Sequence, residues 1–207
     1  MSIMFAIISC ERDRLLGAHD AIRSTYMGKQ PHMFYMDAAA HPDKSDEITL
    51  PNTNGGYHFT WQRNNAIIRI MLACGYDYLF TCDVDTYVVV PRLLAFPFDG
   101  HDYIGRRCDE GHAGGGYGYL LSRRAAEILS ADPPDGTAPY NDVGIGRKLW
   151  DHGVEVWPRN DLFAGGCPAS WAGNAVTAHL GRGTGTWNPQ WMYDCHQVFL
   201  ETTKCTS

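Results

Sequence analysis

The sequence predicts an α/β fold, with helices packed on a central mixed, mostly parallel sheet. Three observations lead there. Apolar runs of strand length recur at residues 3–9, 32–36 and 79–90. Between them lie stretches whose apolar residues return at helical spacing, most clearly residues 61–74. Strands that alternate with helices imply crossover connections and parallel pairing. The chain of 207 residues, 44% hydrophobic, suits one domain over residues 1–207 with a substantial core.

Each element has its own reason. Residues 3–9 supply the first strand. Leu15, Leu16, Ile22 and Tyr26 share helical spacing and predict a helix over residues 15–26. HMFYM at 32–36 is the second apolar run, and a brief ITL strand at 48–50 follows the polar AHPDKSDE. The turn-rich PNTNGG then leads to residues 61–74, where Trp61, Ile68 and Leu72 share a face and Gly75 ends the helix. Residues 103–105 predict another short strand. Gly114, Gly115 and Gly116 open a turn, and residues 117–122 read as strand leading into a helix over 123–129. ADPPDGTAP is a loop, and Asn141 is the expected N-cap of a helix ending near His152, with Gly153 at its C-cap. Residues 154–157 and 176–180 predict late strands, while the Gly- and Trp-rich tail shows no clear pattern.

The run LFTCDVDTYVVV at 79–90 carries the first functional signal. On a strand, Asp83 and Asp85 point to the same face, and the surrounding Val residues are β-branched filler. Two ionised carboxylates on a buried face repel each other unless a cation or a strand end relieves them. Three readings fit: solvated carboxylates at a strand end, a haloacid-dehalogenase-type phosphohydrolase through Asp83, Asp85 and Thr86, or a divalent cation that bridges to a nucleotide diphosphate.

Charge and targeting narrow the classes. A net charge of −6 and the lack of a basic run argue against a nucleic-acid partner. No stretch approaches the ~18–20 apolar residues of a membrane span. MSIMFAIISC has a short apolar core and no positive leader, so it reads as a strand rather than a signal peptide. With seven cysteines and no CxxC pair, this predicts reduced thiols and a cytoplasmic location.

The order of motifs resembles the β-1,3-glycosyltransferase family that includes the galactosyltransferases and Fringe. AIRSTY at 21–26 is similar to that family's AIRxTW, and Tyr57 with Arg63 to its YxNLTLK segment. TCDVDTYV resembles its acidic strand end, with Val84 in place of the central acid. GGYGYLLS at 115–122 is similar to GGAGFCLS, and NDVGIG at 141–146 to EDVxxG with Asn141 in the first position. VTAH at 176–179 falls where the family places a late metal-binding histidine, and His19 stands where an arginine is common. The family's Golgi membrane anchor has no counterpart, which suggests a soluble relative of microbial or viral kind.

The resemblance implies a GT-A-type, Rossmann-like domain and a metal-dependent, inverting transfer of sugar from a nucleotide-sugar donor, expected to be a UDP-sugar, to a hydroxyl of a saccharide or glycan acceptor. It implies Asp83, Asp85 and His179 as the metal set, and such mixed oxygen and nitrogen ligands favour Mn²⁺ over Mg²⁺. Asp142 is the expected base that takes the acceptor's proton. Gly115, Gly116 and Gly118 would let the backbone approach the donor sugar, and Arg63 and Asp83 would also contact the donor. Ser9 and Arg14 follow the first strand and Asp37 follows the second, at the carboxyl ends where open α/β sheets bind ligands. Trp171, Trp187 and Trp191 are candidates to stack on acceptor sugars. A non-enzymatic alternative, a metal-dependent carbohydrate-binding module, would need the DVD pair and His179 but not Asp142.

Overall fold

The computed structural model describes residues 2–28, 30–53, 59–167, 174–181 and 187–204. Seven strands form the main sheet: β1 (Ile3–Ile8), β2 (Met33–Met36), β3 (Glu47–Thr49), β4 (Tyr78–Asp83), β6 (Tyr103–Gly105), β7 (Tyr119–Ser122) and β8 (Trp157–Pro158). Their order is β3-β2-β1-β4-β7-β6-β8, and only β7 runs against the rest. A second, three-stranded sheet sets β5 (Thr86–Val88) and β9 (Phe163–Gly165) on either side of β10 (Thr177–His179). The expected mixed, mostly parallel sheet is therefore present.

The pleat divides the core. Met4, Ala6 and Ile8 of β1 pack against α3 (Thr60–Cys74), α5 (Arg123–Ala131) and α6 (Asn141–Asp151). Phe5 and Ile7 face the other way, toward α2 (Ala18–Ser24), α4 (Val90–Ala95), α7 (Gln190–Lys204) and the second sheet. A central strand must be apolar on both faces, as the IMFAII run is. Among the described residues, no helix is long and apolar enough to cross a membrane.

Several expectations need correction. The helix predicted over 15–26 is two helices, α1 (Glu11–Leu15) and α2, because Gly17 adopts φ 84° and breaks the path. The 79–90 run is not one strand. β4 ends at Asp83, Val84 and Asp85 form a turn, β5 follows, and Val90 already belongs to α4. Asn141 is the first residue of α6 rather than its cap, which is Tyr140. The strand expected at 117–122 begins at Tyr119, after a 3₁₀ turn over Gly115–Tyr117. The patternless tail contains α7, and β9 was unforeseen. Tyr57 and Trp171 lie outside the described residues.

Candidate active site

A cleft of about 500 Å³ opens at the carboxyl ends of β1 and β4. Ser9, Arg63, Asp83, Asp85, Gly115, Gly116 and Asp142 all line it. Ile8 and Asp83 are register partners, so the ends of the two parallel strands deliver Ser9 and Asp83 side by side. The Val84–Asp85 turn then bends Asp85 back into the same cleft. Termination of the strand, rather than strand alternation, brings the two carboxylates together.

Burial and mutual repulsion act on these acids, and His179 and Arg63 oppose them. Burial and the neighbouring Asp85 carboxylate raise Asp83 to about 7. Asp85 Oδ1 is buried with no hydrogen-bond partner among the described residues, while Oδ2 lies 3.2 Å from His179 Nε2. Burial opposes charging of His179, but Asp85 outweighs it and the histidine's pKa is raised. β10 positions this pair: His179 is register partner of Thr86, and a Cβ on Gly181 would run into the Asp85 carboxylate. Among the described residues, no three His, Cys, Asp or Glu side chains converge as a ready-made metal site. The donor set still suits a hard cation that takes part of its shell from ligand phosphates and water. Asp85 offers an unpartnered oxygen, Asp83 adds a second carboxylate, and His179 supplies a nitrogen.

Asp142 enters from the first turn of α6. Its Oδ2 accepts from the Gly115 N–H at 2.9 Å and lies 3.7 Å from His112 Nε2. The Gly115–Tyr117 turn is itself anchored, since Thr86 Oγ1 donates to the Gly116 carbonyl and Thr177 Oγ1 to the Tyr117 carbonyl. Thr86, the third member of the dehalogenase-like spacing, is thus fully buried and committed to structure. The expected glycine roles shift accordingly. Gly115 holds Asp142 through its N–H, while a Cβ on Gly116 would strike the His179 ring at 2.7 Å. Gly118 adopts φ 75°, and a Cβ there would meet Phe80 at 2.8 Å.

The remaining expectations divide. Arg63 is buried in the cleft wall, where its Nη2 donates to Thr60 and desolvation lowers its pKa. Arg14 does not line the cleft; Glu11 and Asp43 hold it in ion pairs, and Arg12 and Asp13 line the cleft instead. Asp37 is buried and accepts from the Ala39 N–H, outside the cleft lining. Trp187 lines the cleft, its buried Nε1–H without a partner among the described residues, whereas Trp191 and His179 itself border a separate cavity of about 580 Å³. Cys10, Asn64 and His112 were missed because only tertiary folding brings them to the site.

No protein family matches the chain, and no curated protein matches it in sequence. Solved structures do match in fold. A glycosyltransferase involved in glycosylation of the major capsid of PBCV-1 is 14% identical, covering 94% of this chain and 100% of that one, with a TM-score of 0.55. A galactosyltransferase, LgtC, solved with donor and acceptor sugar analogs, is 12% identical over 96% of each chain, with a TM-score of 0.50. At such identities the likeness concerns the fold, which is the GT-A-type α/β arrangement of these glycosyltransferases.

Proposed function

We propose that the chain is a glycosyltransferase that moves a sugar from a nucleotide-sugar donor, a UDP-sugar by our reading, to a hydroxyl of a saccharide acceptor. The observation that carries this is the gathering of Asp83, Asp85 and Asp142 in one cleft at the strand ends of a glycosyltransferase fold. The cleft bears the carboxylates of Asp13, Asp83, Asp85 and Asp142 against the guanidinium groups of Arg12 and Arg63. A diphosphate entering it needs a cation, and Asp85, Asp83 and His179 are the residues that would hold Mn²⁺ or Mg²⁺. When bound, that ion neutralises charge on the departing nucleotide diphosphate.

The protein's own groups do the rest. Asp142, oriented by the Gly115 N–H, faces the cleft with a carboxylate able to accept the proton of an attacking hydroxyl. A single displacement with this base inverts the anomeric centre, and the motif order favours a β-1,3-type enzyme. The buried Arg63 guanidinium and the Trp187 N–H line the cleft and would face phosphate or sugar oxygens there. The test is a panel of nucleotide sugars with Mn²⁺, read by thermal stabilisation and then by product mass. One donor should stabilise the protein and yield a product heavier by one sugar. Release of inorganic phosphate from simple phosphoesters, without sugar transfer, would support the dehalogenase-type reading instead.

A further inference from the structure

Beneath the cleft floor lies a buried chain of polar groups that the catalytic reading does not use. Ser9 Oγ is 2.7 Å from His19 Nε2, and His19 Nδ1 is 2.7 Å from Glu47 Oε1. All three residues are buried, yet Ser9 still reaches the cleft lining. The His19 ring stacks on Phe34 at 3.9 Å between centroids, which fixes its plane. Glu47 is tied by Arg23 Nη2 at 2.6 Å and by the Asp43 N–H at 3.1 Å.

The proton positions follow from these partners. Burial pushes Glu47 up, but the hydrogen bonds from His19 and Arg23 hold it down to about 2, so it is an anion that only accepts. Burial lowers the His19 pKa and keeps the ring neutral despite Glu47. The single ring proton must then sit on Nδ1, facing Glu47, and bare Nε2 must accept from Ser9. Ser9 therefore spends its only proton inward. Its spare lone pairs are what it can offer the cleft. A Ser-His-acid trio also suggests a nucleophile, but His19 is only 1% exposed and has no path to protonate a leaving group in the cleft.

We propose that His19 and Glu47 are positioning residues that turn the Ser9 hydroxyl into an acceptor-only group, so that Ser9 selects a hydrogen-bond donor, an imide N–H or a ribose hydroxyl, on the bound nucleotide. The ligand rests on the nucleotide-sugar reading; the proton arrangement does not, and the experiment separates them. Nitrogen-15 NMR of histidine-labelled protein, with the His19 signals identified by their loss in His19→Phe or His19→Gln, should show a neutral ring protonated on Nδ1. A proton on Nε2 overturns the proposal.

In the second arm, UDP and its 3-N-methyl, 2′-deoxy and 3′-deoxy analogues are titrated with Mn²⁺ into wild type, Ser9→Ala and His19→Phe. The analogue that lacks the contacted donor should bind wild type roughly 3- to 10-fold more weakly than UDP, the worth of one neutral hydrogen bond. That gap should vanish in Ser9→Ala and narrow in His19→Phe, whose freed hydroxyl donates as well as accepts. The analogue concerned distinguishes imide from ribose. A merely structural His19 would weaken every ligand alike and leave the gap intact, which overturns the proposal, as does a wild type with no gap. If His19→Phe does not fold, Ser9→Ala decides this arm. A wild type that binds no UDP while His19 shows the Nδ1 tautomer contradicts the nucleotide reading and leaves the proton arrangement supported.

Discussion

Asp142 answers two demands that a single substitution separates. Asparagine keeps its size and can still accept from the Gly115 N–H, but cannot take a proton from an acceptor hydroxyl. Asp142→Asn should therefore leave donor affinity nearly unchanged and lower transfer by on the order of 10²–10⁴-fold, the usual worth of a positioned general base. A residue that only stabilised the start of its helix would cost ~0.3–1 kcal/mol of stability and leave turnover near normal. Measuring donor affinity and transfer rate on the same variant distinguishes the two. Gly118 makes a purely structural prediction. Its φ of 75° and the closeness of Phe80 and Cys82 leave no room for a side chain. Gly118→Ala should cost at least about 1–3 kcal/mol in chemical denaturation, the typical strain of a non-glycine residue held in such a conformation.

At the scale of elements, the ion network that joins α2 to the start of β3 predicts a pH response. Arg23 bridges Asp46 and Glu47, and His19 and the Asp43 N–H add further bonds to Glu47. Glu47 has a native pKa of about 2 against 4.5 for the free side chain, so between these values the unfolded chain binds more protons. Its contribution to stability is thus complete above about pH 4.5 and lost as pH falls toward 2. Denaturation midpoints measured across that window should fall less steeply in Glu47→Gln than in wild type. An unchanged slope would mean that Glu47 is not held ionised by its partners. Which elements the sequence revealed follows the same local logic. β1 and α3 carry their own period and were legible, whereas Val89 and Val90 read as a continuation of the strand although Pro91 stands where a helix tolerates it, in the first turn of α4. Met192 and Cys195, three apart and fully buried, were the overlooked signal of α7 within its Gly- and Trp-rich setting.

At the scale of the whole molecule, the legible part of the site is the part that folding leaves near its motif. Asp83, Asp85, Gly115, Gly116 and Asp142 could be named from spacing and resemblance, and all line one cleft. Arg14 and Asp37 were named from strand-end position alone, and they face neighbours outside it. Ser9, His19 and Glu47 are separated by 10 and 28 residues and meet only once the sheet forms, so no local pattern announced their contact. A donor bound across the ends of β1 and β4 should stabilise the protein globally. A nucleotide present at 100 times its Kd contributes about 2.7 kcal/mol, which for a chain of this length raises Tm by roughly 5–10 °C. The most direct test of the nucleotide-sugar account is calorimetric titration of UDP with Mn²⁺ and with chelator, into wild type and Asp85→Ala. The account predicts UDP binding to wild type that weakens at least about tenfold with chelator, a difference of ~1.4 kcal/mol, and that difference should disappear in a folded Asp85→Ala. UDP that fails to bind, or that binds equally with and without the cation, would contradict it.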